Sequence, residues 1–301
     1  MSNAPAALNP LQAIRPMLVG IMAFLTMLWG LNALSIKVLT QDLPPLLAVA
    51  LRGDIAVLFL LAIALVRRQP LWPGLRLFWH SVACGLLFGI EFIFFYKGAP
   101  YTTGGHISIF INTAPFFVAV GAHYFLEGDR MNPRRWGGLM LAFSGVVVIF
   151  WDDLFVQKTG LWRGDVMVLI ASMLWGATTL YIKRYMAQGM DGFQLLFWQL
   201  LISTPLLLVS SWLTEAPGTA DFNWSATGNL FFQGVVIVGF SYMAWMTLLR
   251  RYPASAMQSF TFLTPVWGVV LGAVLLGETV TLATVGGMAL VGGGLVLVNR
   301  G

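Results

Sequence analysis

MLWGLNALSIKVL at 27–39 is echoed by MLWGATTLYIKRY at 173–185. Met, Leu, Trp, Gly, Leu, Ile and Lys recur in register 146 residues apart, seven matches in thirteen positions. That exceeds coincidence, and the likeness runs on toward the end of the chain. At a shift of 151, Tyr101, Ser108, Thr113, Val118, Gly121, Ala122 and Glu127 fall on Tyr252, Ser259, Thr264, Val269, Gly272, Ala273 and Glu278. At a shift of 149, GGLMLAFSGVVVI (137–149) falls on GGMALVGGGLVLV (286–298). Small loop insertions would produce such a drift. The sequence therefore reads as one unit written twice.

Composition says where that unit lives. Of 301 residues, 58% are hydrophobic and 10% charged, against about 25% charged in a soluble domain. There is too little polar surface to face water on all sides. The apolar residues come in ten blocks, roughly 17–39, 46–66, 77–97, 103–126, 136–151, 166–186, 193–213, 230–250, 254–277 and 280–298. Blocks of such length read as membrane-spanning helices, the fifth being short. The expected fold is an all-α membrane protein of ten transmembrane helices in two five-helix repeats. The repeats cover 17–151 and 166–301, behind a polar tail (1–16) and joined by a loop (152–165). The tail lacks a short apolar core with a small-residue cleavage site, so the first helix is expected to remain as an anchor.

Five is odd, so the second copy must enter the membrane from the opposite side to the first. Two inverted halves can exchange conformations about an axis in the membrane plane, a recurrent design of secondary transporters. Orientation follows from the cations. Twelve Lys and Arg, among them Arg67, Arg68, Arg134, Arg135, Arg250 and Arg251, fall on the side shared by both termini. Lys37, Lys97, Lys158 and Arg163 fall on the other, and Arg52 lies within the second block. Both termini are expected in the cytoplasm. The net charge of +5 is explained by this asymmetry, and a nucleic-acid partner gains no support from it.

The paired LWG openings resemble the EamA family of the drug/metabolite transporter superfamily. So do the segments Pro115–Glu127 and Pro265–Glu278, each followed by a glycine-rich last helix. The resemblance covers 20–298, and in detail it is nearest to bacterial aromatic amino-acid exporters of the inner membrane. It implies a central cavity lined by helices 1, 3, 4, 6, 8 and 9.

Within that frame the candidate substrate-binding residues come in mates. Trp29 and Trp175 are each followed three residues on by a polar group, Asn32 and Thr178, on one helix face. The shift of 151 pairs Glu91 with Tyr242 and Phe94 with Trp245. His106 and Phe110 stand one turn apart in a helix that the resemblance places on the cavity. Aromatic walls with a few polar tips suit an amino acid, whose ring stacks while its zwitterion is hydrogen-bonded; each residue taken singly is also explained by helix packing. Glu91 reads either as a proton carrier or ammonium counter-ion, or as the structural partner of a cation such as Arg52. Pro115 and Pro265 interrupt helices 4 and 9 at equivalent places and are candidate hinges, although proline kinks also occur in static membrane helices. Lys37 and Lys183 are mates near helix ends, snorkelling to the interface or making a gating contact. His80 and His123 read as ordinary, and Arg52 and Asp54 as structural.

Other functions fit poorly. No HExxH or cluster of metal ligands occurs, and Cys84, the single cysteine, reads as packing. Neither an enzyme, a metal nor a cofactor is expected. No filter loop suggests a channel, and no P-loop suggests an ATP-driven pump. The reading is export of aromatic and other neutral amino acids by alternating access. Another metabolite, a drug or a hydrophobic cation is the alternative cargo. The glycine pairs serve internal packing or a dimer contact equally well, so oligomeric state is not legible.

Overall fold

A computed structural model describes residues 16–156 and 159–300. Residues 1–15 of the expected tail, Arg15 among them, and Lys158 of the connecting loop lie outside the described residues. Every regular element among those described is helical. Among the described residues nine helices are long and apolar enough to cross a membrane. They are α1 (Pro16–Asp42), α2 (Pro45–Arg67), α3 (Leu75–Gly98), α4 (Gly104–Phe125), α6 (Leu161–Met186), α7 (Gly192–Thr214), α8 (Trp224–Arg251), α9 (Ala254–Leu276) and α10 (Leu282–Arg300). Large apolar side chains stand fully outward, such as Trp224 at 93% exposure and Leu282 at 91%. Lipid removes the cost that water would impose on them. The chain is a multi-pass membrane protein.

The fifth block differs from its expected bounds. Helix α5 runs Pro133–Ile149, beginning earlier and ending sooner than 136–151, and has 17 residues. Asn132 caps it through Arg135 N–H at 2.8 Å, and Pro133 occupies its first turn, where a missing N–H costs nothing. Helix α5 packs along α10 through glycine. A Cβ on Gly294 would lie 2.5 Å from the Gly138 carbonyl oxygen, and one on Gly145 2.5 Å from that of Gly287. The two backbones therefore touch, as only small residues permit, and they run antiparallel.

Loop contacts sort the ends of the helices onto two faces. On one face, Gln194 Nε2 and Trp198 Nε1 donate to the carbonyls of Pro70 and Leu71 at 2.8 and 2.7 Å, and Arg250 Nε donates to Ala187 O at 2.8 Å. On the other, the Glu215 carboxylate accepts from Leu46 and Leu47 N–H at 2.8 and 3.0 Å, capping α2, while Asp221 N–H donates to Asp42 O at 2.9 Å. Between the faces, α2 lies on α7, α3 on α6 and α7, α1 on α9, and α4 on α6.

Two pairs of helices are interrupted. In α4 the α-helical hydrogen bonding stops at Ile111 and resumes at Ala114; in α9 a tight turn, Phe260–Phe262, separates two segments. Pro115 and Pro265 stand four residues past Ile111 and Thr261, whose carbonyls a regular helix would pair with the N–H at those positions. A proline lacks the N–H that would satisfy such a carbonyl and its ring crowds it. Ser172 Oγ of α6 reaches the Ile111 carbonyl at 3.4 Å. Helices α6 and α8 contain wide π-helical runs, Ile182–Met186 and Phe232–Tyr242.

Candidate substrate site

An aromatic triad forms where α1 meets α8. Trp29 meets Trp245 edge-on with ring centres 5.3 Å apart, and Tyr242 edge-on at 6.1 Å. Edge-to-face contact brings positive ring edges to negative faces. Trp29 Nε1 donates to Ser241 Oγ at 2.9 Å, and the Ser241 hydroxyl in turn donates to the Ile237 carbonyl oxygen. The wide π-turns of α8 carry Ser241 and Tyr242 at the triad, a common placement for such bulges at functional sites. Three of the ten predicted binding residues thus meet at Trp29, which comes from the first repeat while Tyr242 and Trp245 come from the second.

The others occupy separate positions. Trp175 is half-buried in α6 and has no ring contact among the described residues, unlike its mate Trp29. Phe94 is half-buried in α3 without a ring contact. His106 lies 6.1 Å from Phe110, ring centre to ring centre, and its Nδ1 is 3.0 Å from Asp165 Oδ2. Asp165 also accepts from Thr102 Oγ1. Sequence reading passed over Asp165 because it stands one residue before the sixth apolar block; a carboxylate at that margin, in LWRGDV, was the available signal.

Glu91 is buried in α3 at 7% exposure, and it makes no ion pair with Arg52. Arg52 instead donates to Gln233 Oε1 at 3.0 Å and lies 5.4 Å from the centre of the Phe92 ring. Gln233 continues through Asn229 to Ser35 on α1. Arg52 therefore ends a polar chain of neutral side chains that its sequence context did not reveal. It also borders a void of about 10 Å³, room for about one water, together with Ser203, Thr204 and Tyr242.

Four of the predicted polar tips share one property. Asn32 Oδ1, Glu91 Oε2, His106 Nε2 and Thr178 Oγ1 are buried without a hydrogen-bond partner. An unpaired buried polar atom costs about 1–3 kcal/mol, so four in one family of residues need a ligand or water to meet them. A crevice of about 420 Å³ opens between α1, α8 and α9, lined by Leu31, Leu34, Ser35, Asn229, Phe232 and Leu275 and by none of the predicted binding residues. That volume lies within the range of small-molecule pockets. Leu31 stands within one turn of Trp29 along α1. Among the described residues no cluster of His, Cys, Asp and Glu could hold a metal, and Cys84 is buried and unpaired.

Known proteins carry the same pattern. The family model described as the EamA-like transporter family matches residues 17–151 and again 162–300. A probable amino-acid metabolite efflux pump of Salmonella typhimurium is 30% identical over 292 residues, covering 92% of this chain and 93% of that protein. An uncharacterized transporter of Bacillus subtilis, YoaV, is 27% identical over 88% of this chain and 91% of its own length. A solved crystal structure superposes with a TM-score of 0.79 at 19% identity, covering 93% of this chain and 96% of that one; at that identity the likeness speaks for the fold alone.

Proposed function

The chain belongs to the EamA-like transporter family, and from that premise we propose that it exports aromatic and other neutral amino acids by alternating access between two inverted halves. The observation that carries the reading is the set of orphaned polar atoms on Asn32, Glu91, His106 and Thr178, of which Asn32 shares helix α1 with Trp29, the hub of the aromatic triad. Apolar walls with a few unmet polar groups suit a ring attached to a zwitterion better than a purely hydrophobic cation. The efflux pump of Salmonella typhimurium, an amino-acid metabolite pump by its description, supports the same cargo.

Paired contacts support the inverted ten-helix arrangement and repeat units at 17–151 and 166–301. Gly30 abuts Trp267, and its mate Gly176 abuts Phe117. Gly85 abuts Ile202, as Gly234 abuts Ile55, and the Gly138–Gly294 contact becomes Gly287–Gly145 when the halves are exchanged. An axis relating the halves then passes between α5 and α10. With the arginine-rich loops cytoplasmic, both termini face the cytoplasm of a bacterial inner membrane. The interruptions before Pro115 and Pro265 are the bending points of α4 and α9.

Binding is tested by thermal unfolding of the purified transporter in detergent. Phenylalanine at a hundredfold excess over its Kd adds about 2.7 kcal/mol of stability and raises the midpoint by a few degrees; a midpoint moved only by a hydrophobic cation would replace the cargo. Glu91→Gln alters the rate of transport or its dependence on pH between about 6 and 8 if the carboxylate exchanges a proton during the cycle. Rates that stay unchanged across that range remove Glu91 from coupling.

A further inference from the structure

Helix α6 ends against α8 in a way that its mate α1 does not reproduce against α3. Lys183 Nζ donates to the carbonyls of Leu249, Arg250 and Tyr252 at 2.7, 3.1 and 2.8 Å. These carbonyls end α8, where unpaired oxygens and the helix dipole both attract a cation. All three ammonium protons are engaged. Arg250 Nε closes the contact from the other side, donating to Ala187 O. Four hydrogen bonds therefore tie the end of α6 to the end of α8.

Lys37 is the mate of Lys183, 146 residues earlier. The mates of Leu249, Arg250 and Tyr252, at the shift of 151, are Gly98, Ala99 and Tyr101, at the end of α3. Lys37 is exposed, and among the described residues its side chain donates to none of those three carbonyls. The crevice between α1, α8 and α9 opens on this unlatched side. One other pair of mates at these ends does agree: His80 Nδ1 meets Tyr181 Oη at 2.8 Å, and their counterparts Asn229 and Ser35 are likewise hydrogen-bonded. The lysine contact is one place where the two halves part company.

We infer that Lys183 and Lys37 are alternating latches. Lys183 on the α8 carbonyls holds its own face of the transporter closed in the conformation described. When that face opens, Lys37 takes the equivalent place on Gly98, Ala99 and Tyr101 and closes the other. The two lysines thereby oppose one another in setting the balance between outward- and inward-facing states. This rests on the inverted-repeat reading, and it is independent of which molecule is carried.

The test reads accessibility on both faces without substrate. In a Cys84→Ser background, Ala187→Cys reports on the Lys183 face and Leu34→Cys on the crevice side, each labelled in nanodiscs by a water-soluble maleimide. Lys183→Met raises the labelling rate of the Ala187→Cys reporter relative to that of Leu34→Cys, changing the ratio of the two rates by about tenfold, the scale of one charge-assisted hydrogen bond. Lys37→Met moves that ratio in the opposite sense. Lys37 is exposed and unbonded, so its replacement leaves the fold intact and decides the matter alone if Lys183→Met is not recovered. A ratio that moves in the same direction for both variants, or one unmoved by Lys37→Met, overturns the paired latch and leaves Lys183 a structural cap. Failure of amino-acid binding with opposed shifts intact would sink the cargo and keep the latch.

Discussion

Trp29→Ala lowers the rate of amino-acid counterflow by roughly 30-fold, the effect of losing about 2 kcal/mol of aromatic contact, while the protein still reaches the membrane folded. Trp29 is the hub of the triad, touching both Trp245 and Tyr242 and donating to Ser241. Truncation removes a wall of the proposed cavity and frees Tyr242 and Trp245 to shift. Trp29→Phe keeps a ring and loses only the Nε1–H donation, so its loss is smaller, about threefold at the scale of one neutral hydrogen bond. Trp175→Ala tests the other half, where the side chain has no ring partner and its loss costs little packing. Chromatography of the solubilised variants separates the two outcomes. A Trp29→Ala protein that is missing or aggregated assigns the triad to packing, and a folded protein with slow exchange assigns it to transport.

The largest effect on stability is expected from Gly294→Leu. A Cβ at that position would lie 2.4 Å from Ala142 N and 2.5 Å from Gly138 O, distances at which one of the helices must move. No side chain can rotate away, because the atoms opposing it belong to backbone. The cost is about 3 kcal/mol or more, and the folded protein recovered in detergent falls accordingly. Gly292→Leu, in the same helix with nothing near its would-be Cβ, is the control and leaves the yield unchanged. Equal losses in both variants would mean that α10 tolerates no large residue anywhere, and would detach the result from the α5 contact.

These effects indicate what the sequence could reveal. Apolar blocks disclosed the helices because lipid-facing and core-facing residues alike must be apolar, leaving a run that no loop imitates. The duplication was legible because the motif MLWG and the glycines at 138, 145, 287 and 294 are fixed by close contacts, and close contacts resist substitution. The drift between copies was harder to place. It reads from sequence as loop insertions. Yet equivalent contacts pair Gly85 with Gly234 and Gly89 with Gly239, shifts of 149 and 150, and the sequence pairs Glu91 with Tyr242 at 151, so the shift grows inside the π-helical run Phe232–Tyr242. A π-turn holds an extra residue without breaking the helix, and its composition does not distinguish it from α-helix.

The site was legible in kind and not in arrangement. Periodicity put Trp29 and Asn32 on one face, but only tertiary packing brings Trp29 to Trp245, more than two hundred residues away. Glu91 offered two readings, and the pairing with Arg52 does not occur: Arg52 turns to Gln233 instead. His80, read as ordinary, is bonded to Tyr181 and stacked on Tyr185 with ring centres 5.3 Å apart. A histidine near a helix end carries no local sign of what the neighbouring helix presents to it.

The central claim, exchange of amino acids across the membrane by this chain alone, is tested most directly by counterflow. Purified protein is placed in liposomes loaded with unlabelled phenylalanine, tryptophan or threonine, or with a hydrophobic cation, and entry of labelled phenylalanine is followed. The account predicts transient accumulation that requires an internal amino acid, is lost with empty liposomes, and is not supported by the cation. Exchange driven by the cation, with none driven by any amino acid, would contradict it.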